Sequence, residues 1–307
     1  MAVDGPTPQP YPPNPYQQIL ARTQQQHRLF TVHWELTYRC NQRCTHCYLD
    51  VLPPGATITD EVTTDECLHI LDELAAASVL NLSFSGGEIL VRHDFFPIAA
   101  YARQKRFLLR LFTNGTLVTP RVADRIADLH PYAVEISLYS VTAQVHERIA
   151  QMSGSFERSI RAFRLLRERG VRTVLKTPLM RENVREFHTL QALAQELGAQ
   201  FRYDITITPK DDGKRDPLQH RLTYDDLVWL FREAIDPNLW VGRTVKPEAG
   251  TCAIASNALL IDPYGNVFPC VQTRLAAGNL RQQSLQTIWE QAPVWKELAG
   301  LTLNALP

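Results

Sequence analysis

No run of apolar residues in this chain approaches the roughly 18 needed to span a bilayer. Charge of one sign is missing too. Across 307 residues, 32 Lys and Arg balance 32 Asp and Glu, so neither nucleic acid nor an anionic membrane surface has a field to follow. The chain begins with Asp4 and several prolines where a secretory signal needs basic and then apolar residues. The expected location is therefore the cytoplasm. Cysteine is sparse: six are too few for a disulfide scaffold in a chain this long. In a reducing compartment they read as metal ligands or reactive thiols. Nor is there an internal repeat of the kind that builds a solenoid.

What is present is an alternation. Residues 1–28 are proline-rich at their start and lack apolar periodicity, and read as a disordered or extended tail. From residue 29, short apolar runs alternate with amphipathic stretches. The strands fall at 31–36, 79–84, 107–112, 133–138, 171–177 and 200–207. The helices fall at 63–77, 94–104, 120–129, 155–169, 184–197 and 224–234. Thr63 and Glu66 have the spacing of a capping box, and Gly170 and Gly198 stop two helices. About six β–α units predict an α/β fold over 29–236: a parallel sheet with helices outside, doubly wound or an open partial barrel. Residues 237–307 change pattern. Near residue 250 a smaller module begins, with a β-hairpin over 257–268 turning at Asp262-Pro263-Tyr264-Gly265-Asn266, and two short helices over 284–291 and 294–301.

Cys40, Cys44 and Cys47 follow the first strand directly, at the end where open α/β folds build their sites. Three thiolates on one short loop can converge on a polynuclear centre. A 4Fe–4S cluster takes four thiolates, one per iron, so a loop supplying three leaves one iron open. A zinc site completed by His46 or His33 is the alternative, although zinc loops usually come as paired knuckles. An electron-transfer ferredoxin needs a fourth cysteine nearby, and none lies in the next 19 positions. Cys67 sits in an apolar helical stripe with Ile70, Leu71 and Leu74 and reads as a buried small hydrophobe.

The Cys-x3-Cys-x2-Cys loop after strand one resembles the signature of the radical S-adenosylmethionine (SAM) superfamily, and the resemblance covers roughly residues 30–235. Ser85-Gly86-Gly87-Glu88, at the end of the second strand, matches that family's GGE motif. The resemblance implies a partial (β/α)6 barrel, a 4Fe–4S cluster on Cys40, Cys44 and Cys47, and SAM as second cofactor. It places His46 and Tyr48 near the adenine and assigns the SAM amino group to the Gly86–Glu88 motif. Asn114 and Ser137, at the ends of strands three and four, become candidate ribose and carboxylate contacts, with Arg148 and Asn183 as further candidates. Glu135 and Lys176 lie on strands in interior phase; either they pair with each other or they face the substrate.

Cys252 and Cys270 flank the hairpin, and with Gly278-Asn279-Leu280 and Ile288-Trp289 they resemble the opening of a SPASM or twitch extension. That implies an auxiliary Fe–S cluster with Cys252 and Cys270 among its ligands. A full module carries further cysteines and none follows Cys270 here, so the extension is expected to be incomplete, either because the sequence stops short of the module's end or because the auxiliary cluster is incomplete or missing.

The resemblance also implies a reaction. The cluster reductively cleaves SAM to a 5′-deoxyadenosyl radical that removes hydrogen from a substrate. The extension points to a ribosomally made precursor peptide, with a small-molecule metabolite as alternative, and a non-catalytic Fe–S or zinc protein as the competing class. The implied partners are an electron donor such as flavodoxin or ferredoxin and a separate leader-peptide-binding protein. No side chain stands out as a catalytic acid, base or nucleophile.

Overall fold

The computed structural model describes residues 14–236, 252, 254–299, 301, 302 and 304. Six parallel strands lie side by side in chain order: β1 Thr31–Thr37, β2 Asn81–Gly86, β3 Leu108–Thr113, β4 Ala133–Ser137, β5 Thr173–Pro178 and β6 Gln200–Asp204. Helices α2 Thr64–Ala76, α3 Phe95–Gln104, α4 Pro120–Asp128, α6 Ser155–Glu168 and α7 Phe187–Glu196 make the crossovers, and α8 Tyr224–Trp229 follows β6. This is the expected (β/α)6 partial barrel.

Strand alternation divides the sheet into two unlike faces. Val32, Trp34, Leu36, Leu82, Phe84, Leu109, Leu111, Val134, Ile136 and Leu175 are almost wholly buried. They form one core with Ile70, Leu71 and Leu74 of α2, Ile98 of α3 and Phe163 of α6. The other face is polar. Hydrogen-bonded register puts His33 beside Ser83, Ser83 beside Arg110, Phe112 beside Glu135, and Ser137 beside Lys176 and then Arg202. Apolar burial on the helix side stabilises the sheet, which leaves the concave face available for chemistry.

The capping box at α2 forms as expected, with the Thr63 side chain accepting from Glu66 N–H and the Glu66 side chain accepting from Thr63 N–H. The tail reading of 1–28 needs correction. Pro15–Gln25 is a helix, α1, capped reciprocally by Asn14 and Gln17. Proline at the first helical position is a helix starter, because its missing N–H would have had no intrahelical partner. The rest of that reading, 1–13, lies outside the described residues. A further helix, α5 Ala143–Ala150, starts on a Thr142 cap and had no counterpart in the expected pattern. The helix expected over 224–234 changes to π geometry at Leu230–Ala234.

The hairpin forms from β7 Ala258–Ile261 and β8 Asn266–Phe268, with the Asp262 carboxylate accepting from the N–H groups of Tyr264 and Asn266. It does not stand apart. β7 pairs in parallel with β1, so the extension lengthens the same sheet, ending in β9 Gly278–Asn279. Helices α9 Leu285–Gln291 and α10 Pro293–Ala299 follow, and Trp289 donates to the carbonyl of His27 just past α1.

Candidate active site

The cysteine loop is held in place by backbone hydrogen bonds on several sides. Cys40 N–H donates to Leu52 O, Leu52 N–H to Tyr38 O, and Thr45 N–H to Ile149 O at the end of α5. The Gly-Gly turn zips along it: Gly87 N–H donates to Thr37 O at 2.7 Å and Glu88 N–H to Arg39 O at 2.9 Å. Here glycine is required by space. A Cβ on Gly87 would stand 2.3 Å from Arg39 O, and one on Gly86, where φ is +120°, 2.3 Å from Thr37 O. The two motifs are thus one packed unit.

Around that unit lies a cavity of about 330 Å³ lined by Cys40, Cys44 and Cys47 together with His46, Tyr48, Ser85, Gly86, Gly87, Asn114 and Ser137. The structure therefore brings together most of the residues singled out from sequence. Three it does not. Glu88 is fully buried, and its carboxylate accepts from Thr113 Oγ1 and Asn114 N–H, each at 2.7 Å, and from Leu90 N–H. It braces the turn against β3 and does not line the cavity. Arg148 is exposed on α5. Asn183 is buried with its amide spent on backbone, donating to Tyr139 O and Pro178 O and accepting from Met180 N–H.

Among the described residues no group of three or more His, Cys, Asp or Glu side chains is gathered to hold a metal ion. The ligands of a 4Fe–4S cluster stand further apart, since each thiolate meets a different iron. Three thiols on the wall of one cavity, with no fourth cysteine lining it, suit a cluster with one open iron. Burial pushes the Cys40 thiol up to about 12 and the Cys47 thiol up to about 11, and raises Cys44 as well. Only a strongly cationic centre reverses that bias, because a metal binds the thiolate. Cys252 is exposed and Cys270 half-buried, each accepting from the N–H two residues on. Neither lines the cavity.

Several residues at the site carried no sequence signal. Tyr139 lies with its hydroxyl 3.2 Å from Cys44 Sγ and packs edge-on against His46. Val271 and Gln272, from the extension, line the same cavity as the cysteines. Glu35, fully buried on β1, accepts from both Nη atoms of Arg274 at 3.0 and 2.8 Å and from the hydroxyls of Tyr38 and Tyr48. Burial works against the Arg274 charge, but Glu35 holds that guanidinium protonated. One buried carboxylate thus joins the core strand, the cysteine loop and the extension.

The open alternative for Glu135 and Lys176 also closes. Glu135 pairs with Arg110 at 2.7 Å and Arg202 at 3.3 Å. Lys176 instead lies over the Phe112 ring, 4.6 Å from its centroid, and lines the cavity.

The radical SAM superfamily model matches residues 34–194, and SPASM, an iron-sulfur cluster-binding domain, matches residues 252–303. Mycofactocin maturase MftC of Mycolicibacterium smegmatis is 30% identical over 283 residues, covering 86% of this chain and 71% of that protein. The AdoMet-dependent heme synthase of Methanosarcina barkeri is 29% identical over 295 residues, covering 86% and 83%. Among solved structures, Streptococcus suis SuiB bound to its precursor peptide SuiA matches with a TM-score of 0.69 over 95% of this chain and 73% of that one, at 14% identity. The likeness to SuiB is one of fold.

Proposed function

Because the chain belongs to the radical SAM superfamily, we propose that it matures a ribosomally made peptide, by a crosslink, an epimerisation or another change that begins with loss of a hydrogen atom. Its cofactors are a 4Fe–4S cluster and SAM, and the SPASM match adds auxiliary iron–sulfur binding. Bound together, cluster and SAM supply a 5′-deoxyadenosyl radical able to take hydrogen from an unactivated C–H bond.

The chain's own residues prepare for that chemistry. Cys40, Cys44 and Cys47 would hold the 4Fe–4S cluster, whose remaining iron would be open to SAM. Backbone groups of Gly86 and Gly87 receive the SAM amino group, with Glu88 fixing their turn. His46 and Tyr48 would flank the adenine, and Ser85, Asn114 and Ser137, which line the same cavity, would offer polar contacts from the strand ends. Cys252 and Cys270 serve the auxiliary centre. Enclosure by the sheet and by the extension loop keeps water from the reacting centre. The observation that carries the peptide reading is that Val271 and Gln272 of the extension share one cavity with the cysteine loop, in a chain whose relatives include a mycofactocin maturase. A flavodoxin or ferredoxin supplies the electron, a separate protein presents the leader peptide, and the cytoplasm provides the reducing setting.

The test is anaerobic reconstitution with iron and sulfide, reduction, and measurement of 5′-deoxyadenosine with SAM alone. Wild type is expected to produce it and Cys44→Ala to fall to background; equal yields would end the assignment. Co-purification with a short precursor supports the peptide. The resemblance to a heme synthase along most of both chains favours a small-molecule substrate as the second reading, and turnover of small metabolites alone would establish it.

A further inference from the structure

Among the described residues, the cavity lining contains one Lys or Arg side chain, Lys176. Lys176 extends from β5 across the concave face, and its ammonium makes no hydrogen bond and no ion pair among the described residues. The acid nearest in register, Glu135, is held through Oε1 by Arg110 and Arg202. Its Oε2 has no hydrogen-bond partner among the described residues, and Glu135 and Asp204 act on the Lys176 charge without bonding it. Asp204, on β6 at the cavity's exposed edge, accepts from Thr206 N–H. Beside Lys176, His33 on β1 meets the same Phe112 ring edge-on at 5.5 Å, and its ring nitrogens have no hydrogen bond among the described residues. Burial, then the charges of Lys176 and Arg274, lower His33 to about 3, so its imidazole is neutral and has one N–H to give. A half-buried ammonium and a neutral imidazole therefore lie against one aromatic ring and line one cavity.

We propose that Lys176, aided by His33, binds a carboxylate of the substrate. One ammonium matches one carboxylate; a phosphate carries nearly twice the charge, and the neighbouring guanidinium groups of Arg110 and Arg202 are already paired with Glu135. In the proposed function, on which this inference rests, SAM takes the open iron, and Asn114 and Ser137 are the candidate contacts of its carboxylate. A carboxylate held here is drawn from water into a partly buried site, where a charge-assisted hydrogen bond is strong. The substrate carboxylate then fixes which C–H bond faces the cluster side of the cavity. Its source is either a peptide chain end or a small organic acid.

The experiment uses the cluster-loaded protein with SAM present. Calorimetric titration compares N-acetylphenylalanine, standing for a chain end, and 3-phenylpropionate, standing for a small acid, each against its own neutral amide. In wild type at least one acid is expected to bind roughly ten- to a hundredfold more tightly than its amide, and the better acid names the source. Lys176→Met is expected to abolish that preference and Lys176→Arg to keep most of it. Equal binding of acids and amides to wild type, or a preference that survives Lys176→Met, overturns the proposal. So does loss of SAM binding in Lys176→Met, measured by equilibrium dialysis, since the lysine would then serve SAM. Deoxyadenosine formation by wild type is scored separately. Its absence would undo the radical reading, while the acid-against-amide comparison still returns its own answer.

Discussion

Replacing Arg274 by methionine tests whether the extension is clamped to the core. Glu35 is wholly buried and accepts four hydrogen bonds, two from Arg274 and one each from Tyr38 and Tyr48. Removing one partner of a buried ion pair costs about 3–5 kcal/mol, because the remaining charge is uncompensated. Two tyrosine donors survive in Arg274→Met, so the lower end, about 3 kcal/mol, is expected. Glu35→Gln leaves a guanidinium that is 17% exposed and lies near the Tyr48 and Phe268 rings, so it should cost less, about 2 kcal/mol. In the double variant neither charge is orphaned, and the total should stay near 3 rather than reach 5 kcal/mol, a coupling of about 2. Urea unfolding followed by tryptophan fluorescence reads this out, because Trp34 reports β1 and its neighbours while Trp289 and Trp295 report the extension. Losses that add within about 0.5 kcal/mol would refute the clamp.

Gly87→Ala should deform the cysteine loop, since the new Cβ meets Arg39 O and Cys40 Cβ; iron bound per chain after reconstitution is expected to fall well below wild type. Glu88→Gln keeps the shape but cannot accept at both oxygens, so a stability loss of about 1–3 kcal/mol is expected in urea, with thiol ligation of iron retained. Asp94 supplies a pH dependence. Burial would raise its carboxyl, but hydrogen bonds from Arg92 and Thr64 outweigh that and hold it at about 2, against an ordinary 3.8. A folded pKa below the unfolded one contributes stability that is complete above about 4 and is lost as pH falls towards 2. For the cluster-free chain that is about 2 kcal/mol between those limits, and Asp94→Asn should flatten this part of the acid unfolding curve.

Features set by neighbours along the chain were legible in the sequence. The Thr63–Glu66 box, the hairpin turn at Asp262 and the alternation of strands with helices all depend on residues a few positions apart. The cysteine loop and the Gly-Gly turn were legible as motifs, and the structure adds why they occur together: each occupies space the other must leave empty. What escaped has a different physical character. Glu35 and Arg274 lie 239 positions apart, and nothing local distinguishes a strand glutamate that will be buried from one that will be solvated. The same holds for β7, whose hairpin pattern is complete in itself but whose open edge finds β1. Periodicity placed Glu135 and Lys176 on the inner face correctly, yet their fates differ because the guanidinium groups of Arg110 and Arg202 both reach Glu135, while Lys176 beside Arg202 has no ion pair among the described residues. Phase along a strand says which way a charge points. Whether that charge is satisfied depends on the strands beside it, and an inward-facing charge left without a partner marks where a ligand is to be sought.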